Sequence, residues 1–452
     1  MRRIHSVDMI HGAVLPQVIR FSVPLMLTGV LQLIYNAADI VVVGRFVGSE
    51  ALAAVGSTGS MCGLLLDLFM GLSVGASVIV AQYFGARSDR DVSESVHTSM
   101  LLSLIAGLIS AALGMVFSRQ LLSLMGTPAE VIDLAVVYLF AYFLGVPASM
   151  VFNFGAAILR AVGDARRPLI YLMVSGAVNV MLNLFFVIAC GLGVLGVGLA
   201  TALSQLLAAV MVVACLMREN TAIRFVPRRM RFTPDKLSAI VRVGLPAGLQ
   251  GMVFSISNVL IQSSINSFGA IAVAGNSAAG NIEGFIHIPM TALYQAAITF
   301  AGQNVGAKRT DRLARVTAVC LGSVTVVGIV MGIVVFFLRD GLVGLYSGDP
   351  EVVAMGALRL ATMALPYFLC GLMDVITGIL RGMGYSILPM VTTVVGVCGL
   401  RVVWIFTVFR AVRQLPVLYI SYPISWALAF AVQLTMFIVL YRKLKRNTAA
   451  EV

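Results

Sequence analysis

The chain has 452 residues, 60% of them apolar and only 11% charged, with a mean hydropathy of +1.00. Soluble domains carry about 25% charged residues, so this composition excludes an ordinary soluble protein and describes a polytopic membrane protein. The net charge of +12 raises nucleic acid as a partner, but its distribution, described below, argues against one.

Apolar runs long enough to cross a bilayer, about 20 residues each, recur from end to end. They lie near 15–43, 51–80, 95–117, 131–155, 168–190, 194–217, 241–268, 272–302, 313–338, 353–378, 387–409 and 417–441. Twelve such runs predict an all-α membrane protein, and no connection is long enough for a soluble domain. The opening "MRRIHSVDMIHGAVLPQ" is too polar for a signal peptide, so the first run is expected to remain as a helix.

The first run carries Gln32, Tyr35, Asn36 and Asp39 at spacings of three and four, which places them on one helical stripe. A charge inside the bilayer costs at least about 2.5–3.5 kcal/mol, so Asp39 is expected to face the protein interior and to have a function. Pro24 in the same run removes a backbone hydrogen bond and predicts a kink. Asp67 in the second run and Asn153 in the fourth are further candidates for a substrate cavity. The alternative for Asp67 is a hydrogen bond to a neighbour.

The fifth run has Asn179 and Asn183 one turn apart, and the sixth has Thr201. With Asp39 they offer an all-oxygen set for a small hard cation such as sodium; the alternative is that the same carboxyl carries a proton instead. The bland alternative is a network that only locks helices together. The polar segment 218–240 reads as a linker between an N-lobe, 1–217, and a C-lobe, 241–452.

In the C-lobe, Glu283 and His287 share a face of the eighth run, Asp374 lies in the tenth and Arg401 in the eleventh. An isolated Arg401 would be costly, so it is expected to pair with Asp374 or Glu283. This charged network is either an ion-pair cluster holding the bundle or a second proton or cation site. The cysteines, Cys62, Cys190, Cys215, Cys320, Cys370 and Cys398, show neither a disulfide framework nor metal-ligand spacing and read as small hydrophobes.

Twelve spans put both termini on one side. Most Lys and Arg fall on that side, among them Arg87, Arg90, Arg166, Arg167 and the clusters at 218–242, 308–315 and 442–446. This is the positive-inside bias, and it predicts cytoplasmic termini at the cell membrane. The basic loops therefore read as topology signals.

The two halves are similar at an offset close to 221 residues. "GAAILRAVGDARRPLI" aligns with "VITGILRGMGYSILPM", placing Arg160 on Arg381, Gly163 on Gly384 and Pro168 on Pro389. "AQYFGARSDR" aligns with "GQNVGAKRTDR", and Gly48 falls on Gly269. Pro24 and Asn36 align with Pro246 and Asn258. An even number of spans per half gives both halves one orientation, related by an axis along the membrane normal with a central cavity between them, an arrangement suited to alternating access. The position equivalent to Asp39 is near Ile261, so the acid is not duplicated.

The ordered set "QLIYNAADIVVVGRFVGSEALAAVG", "VAQYFGA", "ILRAVGDARRP", "VNVMLN", "TFAGQNVGA" and "GILRGMGYSILPM" resembles the multidrug and toxic compound extrusion (MATE) family over nearly the whole chain. The resemblance implies two six-helix lobes and an inner-membrane antiporter that expels organic, often cationic, compounds in exchange for protons or sodium ions. Pro24, Gln32, Tyr35 and Asp39 match the first-helix pattern of the DinF-type branch, and Asn179 and Thr201 match further members of its N-lobe site. Asn183 departs from it, because that branch often has a second aspartate there. The NorM-type branch has a glutamate in the first helix of the second lobe; here "GMVFSISNVL" has no acid, so its sodium site is not carried over to Glu283 or Asp374.

The leading expectation is multidrug efflux by an ion-coupled, monomeric membrane transporter with no cofactor beyond the coupling proton or sodium ion. A flippase or exporter of a lipid-linked or metabolic substrate is the alternative, and a passive channel is a third reading. A membrane enzyme would need a nucleophile–base pair or a metal cluster, and no HExxH or P-loop pattern occurs.

Overall fold

A computed structural model describes residues 6–124, 127 and 129–450, and no strand occurs among them. His5 of the opening segment lies outside the described residues. Helices follow one another along the chain, beginning with α1 (Val14–Phe46), α2 (Ser49–Gly85), α3 (Asp89–Leu124) and α4 (Ala129–Ala161). Next come α5 (Arg166–Leu184, continued by a π turn at Phe185–Ala189), α6 (Gly193–Arg218) and α7 (Pro234–Asn266). The remainder are α8 (Ala270–Gly306), α9 (Thr310–Gly344), α10 (Pro350–Met363, a 3-10 turn at Leu365–Tyr367, then Phe368–Gly382), α11 (387–409, α and π turns alternating) and α12 (Leu415–Tyr419 and Ser421–Ala450).

Eleven of these are long and apolar enough to cross a membrane. The other is α8, whose apolar surface is interrupted by Asn276, Asn281, Glu283 and His287. The helices outrun their hydrophobic stretches. α3 starts at Asp89, where Asp89 and Asp91 complement the positive end of the helix dipole, and α7 starts at Pro234, within the stretch that reads as a linker.

The chain divides into two compact units. One spans Leu27–Met252 with the segment ending at Val7; the other comprises Asp8–Met26 and the chain from Val253 onward. The change of unit falls within α1 shortly after Pro24, and within α7 after Pro246.

In the first unit α4 is central, packed by α2, α3 and α6, with Leu139, Phe143 and Val146 fully or almost fully buried in its core. α2 and α7 meet through small residues, Gly71 and Gly75 against Gly244 and Gly248, each pair one turn apart. A Cβ on Gly71 would lie 2.1 Å from the Gly248 nitrogen, so only glycine permits this backbone approach. In the second unit α8 packs against α9 and α10.

The internal repeat extends to backbone detail. Gly163 and Gly384 share a φ of 92°, and Arg87 and Lys308, after the matched Gly-Ala pairs, have φ of 57° and 56°. α5 and α11 each contain a π turn at the matching place, Phe185–Ala189 and Ile405–Phe409.

Candidate functional site

In the first unit the stripe on α1 faces α5 and α6 across a cavity of about 220 Å³. α1 contributes Gln32, Tyr35, Asn36 and Asp39, α5 contributes Asn179, and α6 contributes Thr201. Asn183 is fully buried beside them. Its Nδ2 donates to Asp39 Oδ1 at 2.5 Å and to Asn179 Oδ1 at 3.2 Å. Asn179 Nδ2 in turn donates to Ser204 Oγ at 3.4 Å. The chain Asp39–Asn183–Asn179–Ser204 thus ties α1, α5 and α6 together. The Thr201 hydroxyl donates to the Val197 carbonyl of its own helix at 3.1 Å while still bordering the cavity.

Two features single out Asp39. It is the one charged side chain among the described residues lining the cavity, so no arginine or lysine there neutralises it. The Asn183 Oδ1 is buried and accepts a hydrogen bond from no described residue. Such an acceptor next to a carboxylate is costly, and a cation or a carboxyl proton between the two would satisfy it.

Sequence reading missed Ser204, Gly176 and Ser175. Ser204 stands three residues after Thr201, and Gly176 three before Asn179, so helical spacing alone places both on the cavity face. Gly176 is needed for shape. A Cβ there would lie 1.9 Å from Cε2 of Tyr35, whose ring packs against α5, while the Tyr35 hydroxyl donates to the Met173 carbonyl at 3.2 Å.

The remaining candidates lie elsewhere. Asn153 Nδ2 donates to the Ser149 carbonyl at 2.8 Å within α4, and Asp67 on α2 sits beside Gly251 of α7; neither borders this cavity. Pro24 lies within α1, which is helical on both sides of it.

In the second unit the charged residues pair differently from expectation. Glu283 is held by Arg359, through Nε to Oε1 and an η-nitrogen to Oε2, both at 2.7 Å. Arg359 also donates to Asn276 Oδ1, which accepts from the Tyr419 hydroxyl at 3.4 Å. Asp374 pairs with His287 at 3.5 Å. Arg401 therefore does not pair with either acid. It is fully buried, its Nε donates to Ser425 Oγ at 3.1 Å, and its guanidinium lies 4.1 Å from the Tyr422 ring centre, with Phe254 and Trp426 further out. Aromatic faces replace the acid as the stabilising partner, a geometry suited to the weakly hydrated, planar guanidinium.

The family model MatE matches the chain twice, over residues 24–185 and 246–407. The chain belongs to the MatE family. The two matches repeat the offset between the halves, with Pro24 and Pro246 opening each. Among curated relatives, the probable multidrug resistance protein YoeA of Bacillus subtilis (strain 168) is 26% identical over 417 residues, 90% of each chain. The probable multidrug resistance protein YpnP of the same organism is 28% identical over 394 residues, covering 87% of this chain and 88% of that one. The crystal structure of a MATE protein in the bent conformation superposes with a TM-score of 0.91 at 23% identity, over 98% of this chain and 99% of that one. The fold is thus that of MATE transporters, twelve helices in two lobes, and the chain is a multi-pass membrane transporter of the multidrug efflux family, not an enzyme by family and fold.

Proposed function

We propose that this transporter exports organic, cationic compounds by alternating access, driven by inward movement of a proton or a sodium ion bound at Asp39, with both termini cytoplasmic. The observation that carries the reading is the pairing of Asp39 with Asn183. Among the described residues the carboxylate accepts from one neutral amide, and that amide's own oxygen has no donor. A site already neutralised by a basic side chain would have no use for a cation; this one does.

The cycle we infer begins with substrate entering from the cytoplasmic side. Once the protein faces outward, the coupling ion reaches Asp39 and takes a ligand position shared with Asn183. The carboxylate loses its free charge, the bonds between α1 and α5 rearrange, and substrate is released. No nucleotide-binding motif is present in the sequence, in keeping with an ion gradient as the energy source.

The test is transport of ethidium in proteoliposomes under an imposed pH gradient and, separately, a sodium gradient. Wild type is expected to follow one of them. Asp39→Asn, at equal folded yield, is expected to lose that response. Normal gradient-driven transport by the variant would overturn the reading.

A further inference from the structure

The second unit brings together three side chains that sequence spacing leaves apart. Cys370 and Asp374 lie four residues apart on α10, so they share one helical face. His287 approaches them from α8. Its Nε2 is 3.5 Å from Asp374 Oδ2, and Cys370 Sγ is 4.0 Å from the same oxygen. All three donor atoms lie within 4.8 Å of one another.

A tetrahedral zinc site with ordinary bond lengths places nitrogen and oxygen ligands about 3.4 Å apart and sulfur and oxygen about 3.6 Å apart. The nitrogen–oxygen and sulfur–oxygen separations of 3.5 and 4.0 Å exceed these by a few tenths of an ångström, and rotation of the half-exposed His287 ring closes the nitrogen–sulfur separation, which lies within 4.8 Å. The outer contact is in place too. His287 Nδ1 is hydrogen-bonded to the Thr291 hydroxyl at 3.1 Å, which leaves Nε2 aimed at the acid; such a contact orients metal-binding imidazoles. Charge also fits, because one thiolate, one carboxylate and a neutral imidazole cancel a divalent ion. The donor set of sulfur, nitrogen and oxygen selects a borderline transition metal over sodium, magnesium or calcium. Access exists, since the His287 side chain is 45% exposed and that of Asp374 25%, while Cys370 is buried at the back.

We propose that His287, Cys370 and Asp374 form a binding site for a single divalent transition-metal ion of the zinc class, with the fourth position open, and that the ion ties α8 to α10. The site is independent of the coupling group proposed at Asp39.

The test is titration of tag-free, full-length protein in detergent with cobalt(II) alone and zinc(II) alone. Cobalt is expected to give a sulfur-to-metal charge-transfer band that zinc displaces at a single ion per chain. The band is expected to vanish in Cys370→Ser and to persist in Cys398→Ser. His287→Ala, Asp374→Asn and Thr291→Val are each expected to weaken zinc binding at least about tenfold. Zinc is also expected to raise the melting temperature of wild type but not of His287→Ala, a readout that holds even if Cys370→Ser fails to fold. A cobalt complex without the sulfur band, a band that survives in folded Cys370→Ser, or equal zinc stabilisation of wild type and His287→Ala would overturn the proposal.

Discussion

Two acids inside the helices, Glu283 and Asp39, are partnered in opposite ways. In the second unit, Glu283 is closed off by a bidentate arginine that is itself bonded to Asn276 and faces the Tyr419 ring. In the first unit, Asp39 accepts from the neutral Asn183 amide and borders an open cavity. A buried charge with an opposite charge on it fastens helices together, and removing either partner strands the other. A half-buried charge left with neutral neighbours fastens little and remains available to an ion. The contrast teaches that an acid inside the helices is not enough to mark a site, and that the missing counter-charge is what supports the proposed role of Asp39.

The comparison can be broken at its closed end first. Glu283→Ala leaves Arg359 buried and unpaired and is expected to cost about 3–5 kcal/mol, read as a large drop in melting temperature in detergent. Replacing Glu283 with Leu and Arg359 with Met together is expected to restore most of it. A Glu283→Ala protein as stable as wild type would remove the structural role of the pair. Next comes Gly176→Ala, whose Cβ collides with the Tyr35 ring. Overpacking of this kind is expected to cost about 1–3 kcal/mol, and truncating Tyr35 to Ala in the same protein should relieve part of it, measured as a double-mutant cycle.

Ser425→Ala removes the hydrogen bond to Arg401 Nε and is expected to cost about 1.5–3 kcal/mol, while the aromatic stack on Tyr422 stays. A loss several times larger would mean that the serine, not the rings, holds the arginine. The smallest effect on stability is expected for Asp39→Asn, under about 1 kcal/mol, since the amide keeps the shape and can still bond to Asn183. A melting temperature that falls as far as that of Glu283→Ala would erase the distinction between the two acids.

Much of this was legible beforehand. Hydrophobic length found the helices, including α8, because a run of apolar residues stays recognisable even when Glu283 and His287 lower its mean. Spacing put Asp39 on a stripe with Gln32, Tyr35 and Asn36, and one-turn spacing joined Asn179 to Asn183. Pairing across helices was not legible. Arg359 is 76 residues from Glu283, and nothing local links them, although a charge inside the run 353–378 was a signal on the same footing as Arg401. A charge count points Arg401 to an acid, because aromatic faces leave no mark in it. Cys370 read as a small hydrophobe, yet its four-residue spacing from Asp374 was visible; only the approach of α8 turns the pair into a possible ligand set. Gly176 was one of many glycines, and its role depends on where the Tyr35 ring comes to rest.

In the proposed cycle Asp39 couples transport to an ion gradient without being needed for the fold or for substrate movement itself. The most direct measurement compares substrate counterflow, with no ion gradient, against gradient-driven uptake in the same Asp39→Asn proteoliposomes. Counterflow near the wild-type rate with no acceleration by either a proton or a sodium gradient is the predicted result. Gradient acceleration equal to that of wild type would contradict it.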